Sequence, residues 1–98
     1  MELARVQGTV VSTIKAEKLS GCTLLVVNIL NSDATPSEKH LIAIDSVGAG
    51  TGEVVLVVRG SSARQTQDLK DVPTDCSIVA IVDSVELQGK IVYAKNKN

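Results

Sequence analysis

The apolar positions of this chain fall in short runs, alternating with polar ones in the first and near-continuous in several that follow. From Leu3 to Ile14, Ala4, Val6, Gly8 and Val10 share one face while Arg5 and Gln7 fall on the other, which predicts a strand. Gly8 in its middle predicts a bend or a close backbone approach, as at a barrel corner. Lys15 to Gly21 reads as a polar loop. Cys22 to Leu30 is a second strand, apolar on both faces, so one face belongs to the core and the other lies against something else. Asn31 to Lys39, with Pro36, reads as an exposed loop, and His40 to Asp45 as a short third strand. A glycine-dense loop, Val47 to Glu53, leads into a fourth strand, Val54 to Arg59, again apolar on both faces. Ser61 to Leu69 is the one plausible helical turn, with Ser61 or Ser62 as its cap. After a loop containing Pro73, Asp75 to Leu87 reads as a long fifth strand. Gln88-Gly89 is a turn, Ile91 to Ala94 a last short strand, and Lys95 to Asn98 a polar tail. Short strands at even spacing predict an all-β fold, a small barrel or sandwich.

Composition sharpens this picture. Fifteen residues are Val and seven are Ile, with one Tyr and neither Phe nor Trp. β-branched side chains favour a pleated sheet, so the core should be thin and aliphatic. Ninety-eight residues make one domain, and a chain this short buries a modest fraction of its surface. Yet 44% of residues are hydrophobic and the mean hydropathy is +0.21, so part of the apolar surface is expected to meet a partner.

A net charge of −1 excludes a strong electrostatic footprint for nucleic acid or for an anionic membrane. Single-strand binders stack bases on aromatic side chains in a basic groove, and this chain has one aromatic residue and no basic cluster. No stretch approaches the roughly 20 apolar residues of a membrane span. Glu2 and Arg5 interrupt the first residues, so no secretory segment is expected, and two distant cysteines without a CxxC fit a reducing cytoplasm.

Candidate chemistry is sparse. Gly48, Gly50 and Gly52 spell GxGxG, and a strand rather than a helix comes next, so neither a dinucleotide fingerprint nor a P-loop is present. The loop reads as a tight turn or close chain approach that tolerates no Cβ. His40, the only histidine, lacks a partnered nucleophile and is expected to be half-exposed at a strand start. Cys22 and Cys76 are too few for a zinc site even with His40, and are expected to be buried as small hydrophobes. Asp45, Glu53, Asp75 and Asp83 sit at strand ends, where carboxylates bond local backbone N–H groups. Arg64 is either a solvated helix residue or an inter-subunit contact. No catalytic, cofactor-binding or metal-binding residue is expected.

Four stretches in order carry a family resemblance: Leu3-Ala4-Arg5-Val6 with Gly8-Thr9-Val10-Val11-Ser12-Thr13; Ala43 to Glu53; Val55-Leu56-Val57 leading into Gly60-Ser61-Ser62-Ala63-Arg64; and Pro73-Thr74-Asp75 followed by Ile78 to Asp83. The chain resembles the bacterial microcompartment vertex proteins of the EutN/CcmL type over nearly its whole length. It departs at Thr74, where the family usually has an aliphatic residue, and at Ala80, where many members have Gly. The resemblance implies a five-stranded OB-like barrel with one short helix, residues 1–98 forming a single vertex domain. It implies a homopentamer at the five-fold corners of a polyhedral shell in the bacterial cytoplasm, beside hexameric shell proteins that form the facets.

In that setting Gly48, Ala49, Gly50, Thr51, Gly52 and Glu53 become the candidate axial or pore loop, and Ser62, Arg64 and Asp83 the candidate subunit interface. Loops 15–21 and 31–39 become candidates for solvent or facet contact. A ring of six fits the same pattern, since the rotation per subunit changes only from about 72° to about 60°. Ala43 to Arg64 and the ending Ile91 to Lys95 look nearest to the ethanolamine-type members, while propanediol and carboxysome members share much of the pattern. Two other classes of function remain open: a ligand-binding ring that uses its pore or subunit clefts, and an enzyme resting on His40 or Asp45.

Overall fold

The computed structural model describes residues 1–13, 17, 21–60 and 76–95. Five strands close into a barrel in the order β1-β2-β3-β5-β4, with β1 Glu2–Val10, β2 Thr23–Leu30, β3 Pro36–Asp45, β4 Val54–Arg59 and β5 Cys76–Ile81. Neighbours pair antiparallel except β3 and β5, which run parallel over Ile44↔Ser77 and Asp45↔Ile78. Two more strands, β6 Ser84–Leu87 and β7 Lys90–Ala94, form a separate two-stranded sheet. The all-β, five-stranded barrel expected from the sequence is therefore present. The helix expected over 61–69 lies outside the described residues.

The barrel interior is aliphatic, as the Val/Ile composition requires. Ala4 and Val6 of β1, Leu25, Val27 and Ile29 of β2, Ala43 of β3, Val55 and Val57 of β4, and Cys76 and Ile78 of β5 form one buried cluster. At one end of the inward rows an ion pair replaces the aliphatics. Arg59 lies opposite Cys76 and Glu2 opposite Val57. The guanidinium donates from Nε to Glu2 Oε2 at 2.5 Å and from Nη2 to Oε1 at 2.9 Å. A forked pair of this kind fixes geometry more than it stabilises, since both side chains are about a third exposed, at 38% and 31%.

Several expectations change, the first of them in β1. The register there shifts between Val6 and Gly8, so Gly8 marks a β-bulge. Beyond the bulge, inward and outward positions of β1 exchange. Gly8 and Val10 pair with Val26 and Leu24 on the outer side, instead of sharing the inward face of Ala4 and Val6. Nothing lies within 4 Å of a Cβ built at Gly8, so the glycine serves the bend and not a close approach.

Second, β3 begins at Pro36, inside the segment read as loop. Proline is tolerated at the first residue of a strand, and the turn is condensed into residues 31–35. There Thr35 N donates to Asp33 Oδ1 at 3.1 Å and Ala34 N to Asn31 O at 2.9 Å. The buried Asn28 amide donates to Ser37 O at 2.9 Å and Lys39 O at 3.1 Å, which stitches the irregular stretch of β2–β3 pairing. His40 consequently lies within β3 and is exposed, not half-exposed at a strand start.

Third, the long fifth strand is broken. Val82 N still reaches Val54 O at 2.8 Å, but at Asp83 the chain leaves the barrel and folds back as β6–β7 around Gln88 and Gly89. Those two residues have φ of 51° and 81°, the positive values that two-residue hairpin turns require. Of the cysteines, Cys76 is buried in the core, whereas Cys22 is only half-buried.

Candidate functional site

The loop between β3 and β4, residues 46–53, is shaped by side chains at both of its ends. Asp45 ends β3 and points its carboxylate along the loop. Its Oδ1 accepts Val47 N–H at 3.0 Å and its Oδ2 accepts Ala49 N–H at 2.9 Å. This is the local backbone bonding expected of a strand-end aspartate. It turns Ala49 back onto the barrel, where it packs against the core cluster. At the other end, Gly52 N donates to Val6 O at 2.8 Å and Val6 N to Glu53 O at 2.9 Å, which prolongs the β1–β4 ladder past its last pair, Arg5↔Val54.

Between these ends the glycines take their positions for different reasons. Gly48 and Gly52 have φ of 83° and 92°, a region that L side chains enter only with strain, although open space surrounds both. The intolerance of a Cβ expected from the sequence thus comes from backbone conformation, not from crowding. Gly50 has ordinary backbone, and a Cβ there would meet Glu53 Oε1 at 3.5 Å, an ordinary contact.

Two cations hold the outer side of the loop. Arg5 Nη1 donates to Gly52 O at 2.7 Å, and its guanidinium lies 5.4 Å from the centroid of the Tyr93 ring. Lys95 Nζ sits 2.8 Å from Glu53 Oε2, while Glu53 Oε1 accepts Gly50 N–H at 2.6 Å. The Lys95 ammonium, and then the Gly50 amide, hold the Glu53 carboxyl below its ordinary value, and Glu53 in turn raises the Lys95 amine.

Of the residues singled out in the sequence, Gly48, Gly50, Thr51 and Gly52 are exposed on this loop, and Ala49 and Glu53 are half-buried. Asp83 is exposed at the root of the hairpin, where its carbonyl accepts Lys95 N–H at 2.8 Å. Asp83 is thus brought next to the loop through Lys95. Ser62 and Arg64 lie outside the described residues. Arg5, Tyr93 and Lys95 carry no local signal that marks them as site residues. Arg5 reaches the loop because β1 pairs with β4, and Tyr93 and Lys95 do so because the hairpin folds back there, neither of which a local pattern encodes. Among the described residues no three His, Cys, Asp or Glu side chains cluster in a way that could hold a metal ion.

The outer face of β1–β2–β3 carries the second apolar side of the strands. Register places Gly8, Val26 and Ile42 in one row and Val10 and Leu24 in the next, with no charge among them, while Ile44, opposite Leu24, is buried at 3% exposure. Ile42 is 49% exposed. The structure is thus a closed five-stranded β-barrel with a glycine loop tied at both ends and apolar rows on the outer side of β1–β2–β3.

The particular family emerges from comparison. The sequence model of the family described as ethanolamine utilisation protein EutN/carboxysome matches residues 1–83, and the chain belongs to that family. It is 41% identical over 98 residues to the carboxysome shell vertex protein CcmL of Synechococcus elongatus, covering 100% of this chain and 99% of CcmL. It is 43% identical over 95 residues to the microcompartment shell vertex protein EutN of Salmonella typhimurium, covering 97% of this chain and 96% of EutN. The solved pentameric microcompartment shell protein GrpN of Rhodospirillum rubrum superposes with a TM-score of 0.81 at 49% identity, covering 89% of this chain and 99% of GrpN.

Proposed function

We propose that this chain is a vertex tile: five copies close into a ring that occupies a corner of a microcompartment shell in the bacterial cytoplasm. The observation that carries the reading is the superposition on a pentameric shell protein across nearly that protein's whole length. Closure of a ring needs a heterologous interface, one face of a subunit against a different face of the next. The outer residues Gly8, Val26 and Ile42 in one row, and Val10 and Leu24 in the next, supply an uncharged apolar face for such a contact. In this reading loop 48–53 faces the ring's axial opening, Ser62, Arg64 and Asp83 lie at the subunit boundary, and hexameric shell proteins surround the ring.

The role is geometric, not catalytic. Flat hexagonal sheets acquire curvature and closure only where a five-fold unit is inserted. The carboxylates at the loop are committed to structure: Asp45 to two backbone amides, Glu53 to Lys95 and Gly50. The carboxysome and ethanolamine relatives are nearly equal in identity, at 41% and 43%, so the leaning toward the ethanolamine type gains no support from them.

Deletion of the gene in its host, with shells imaged by electron microscopy, tests the proposal. Elongated or leaky shells with active enzymes inside are expected. Closed, sealed polyhedra in the deletion strain would contradict it.

A further inference from the structure

We infer that the C-terminal hairpin is a strap that fixes the glycine loop, with Arg5, Glu53, Tyr93 and Lys95 as its positioning residues. The loop is hard to hold by its own chain, because Gly48, Gly50 and Gly52 give it high conformational freedom when released. Asp45 and Val6 secure its two ends. The stretch around Gly50 to Glu53 is held from outside, by Arg5 on Gly52 O and by Lys95 on Glu53, whose other oxygen takes the Gly50 amide.

Both outside ties lead to the hairpin. Lys95 immediately succeeds β7 and is fixed by its own amide on Asp83 O, and Tyr93 of β7 lies against the Arg5 guanidinium. A two-stranded hairpin has little stability alone, so its root also gains definition from these contacts. The dependence therefore runs both ways, as any coupling between two sites must. The hairpin follows the five barrel strands in the chain, while the loop it holds joins β3 to β4. A segment that is not part of the barrel sheet thus sets the shape of a loop that belongs to it. The coupling itself stands independently of the ring. Only its consequence rests on the vertex reading: contacts made on the hairpin would then be felt at the axial loop.

Amide hydrogen exchange on the full chain, wild type against Lys95→Gln, Arg5→Gln and Glu53→Gln, tests the strap. Lys95→Gln is expected to speed exchange of the Gly50 amide by about two- to five-fold, the range an exposed ion pair can supply. The double variant Arg5→Gln/Lys95→Gln is expected to exceed either single change there. Glu53→Gln is expected to speed exchange of the Lys95 amide, the reciprocal effect, while Val55 and Val57 amides in the barrel stay protected in all variants. Unchanged Gly50 exchange in Lys95→Gln, or a loop that loosens with no reciprocal change at Lys95, would overturn the inference. Ring formation in any of these variants is a separate readout, so failure of the strap and failure of the vertex role are distinguishable.

Discussion

Gly52 and Gly50 sit two residues apart on one loop, and a single methyl group separates their roles. At Gly52 the φ of 92° makes any side chain strained, so Gly52→Ala should lower stability by about 1–2 kcal/mol. At Gly50 the added Cβ would make only an ordinary contact at 3.5 Å, and Gly50→Ala should stay within about 0.5 kcal/mol of wild type. Chemical denaturation of the two variants checks this, and equal losses would mean that the loop's backbone is not held as described. Asn28 is the polar counterpart. Its buried amide serves Ser37 O and Lys39 O, so Asn28→Ala should cost about 1–3 kcal/mol by leaving those carbonyls without their donor. A stability change under about 0.5 kcal/mol would show that the carbonyls find other partners. The loop's glycines were legible in the sequence as a turn, and strand-end Asp45 as a local backbone acceptor. The Glu53–Lys95 pair was not legible, because it joins residues distant in sequence through the fold-back of the β6–β7 hairpin.

Among the elements, the strands were legible wherever period-two alternation or β-branched runs ran unbroken, as in β2 and β4. They were misread where one residue changes the backbone. The bulge at Gly8 moves Val10 to the outer face, and the turn over 31–35 frees Pro36 to start β3 earlier than its polar side chains imply. The apolar run Ile78 to Val82 leads into Val85 and Leu87 with no Gly or Pro between, and this hid the break at Asp83.

The tie between hairpin and loop carries a pH dependence whose sign is set by its two partners. Glu53 is depressed below 4.5 in the fold, chiefly by Lys95, so its contribution is present above the unfolded carboxylate value and is lost as pH falls through the folded one. Lys95 is raised above 10.5, chiefly by Glu53, so its contribution is present below that value and is lost as pH rises through the folded one. The Gly50 amide chemical shift should therefore be flat between about pH 5 and 10 and move outside that window. A shift that titrates near neutral pH, or none on acidification below about pH 4, would contradict the assignment of Glu53 as its acceptor.

For the whole molecule, the decisive property is an apolar outer face on a barrel whose core is already filled. The interior rows close around Val55, Val57 and Ile78, so the outer residues Val10, Leu24, Val26 and Ile42 add nothing to that core. In the vertex reading they face a neighbouring subunit. Ile42→Asp places a charge on this face without touching the interior, and should shift the ring toward monomer while thermal unfolding of the monomer stays near wild type. Dual apolar faces on β2 made the need for a partner legible in the sequence, but the count of subunits is a matter of interface angle, which no residue pattern records. Native mass spectrometry of the purified protein over a range of concentrations measures that count directly. The vertex reading predicts five copies that persist on dilution, and a stable monomer at every concentration would contradict it.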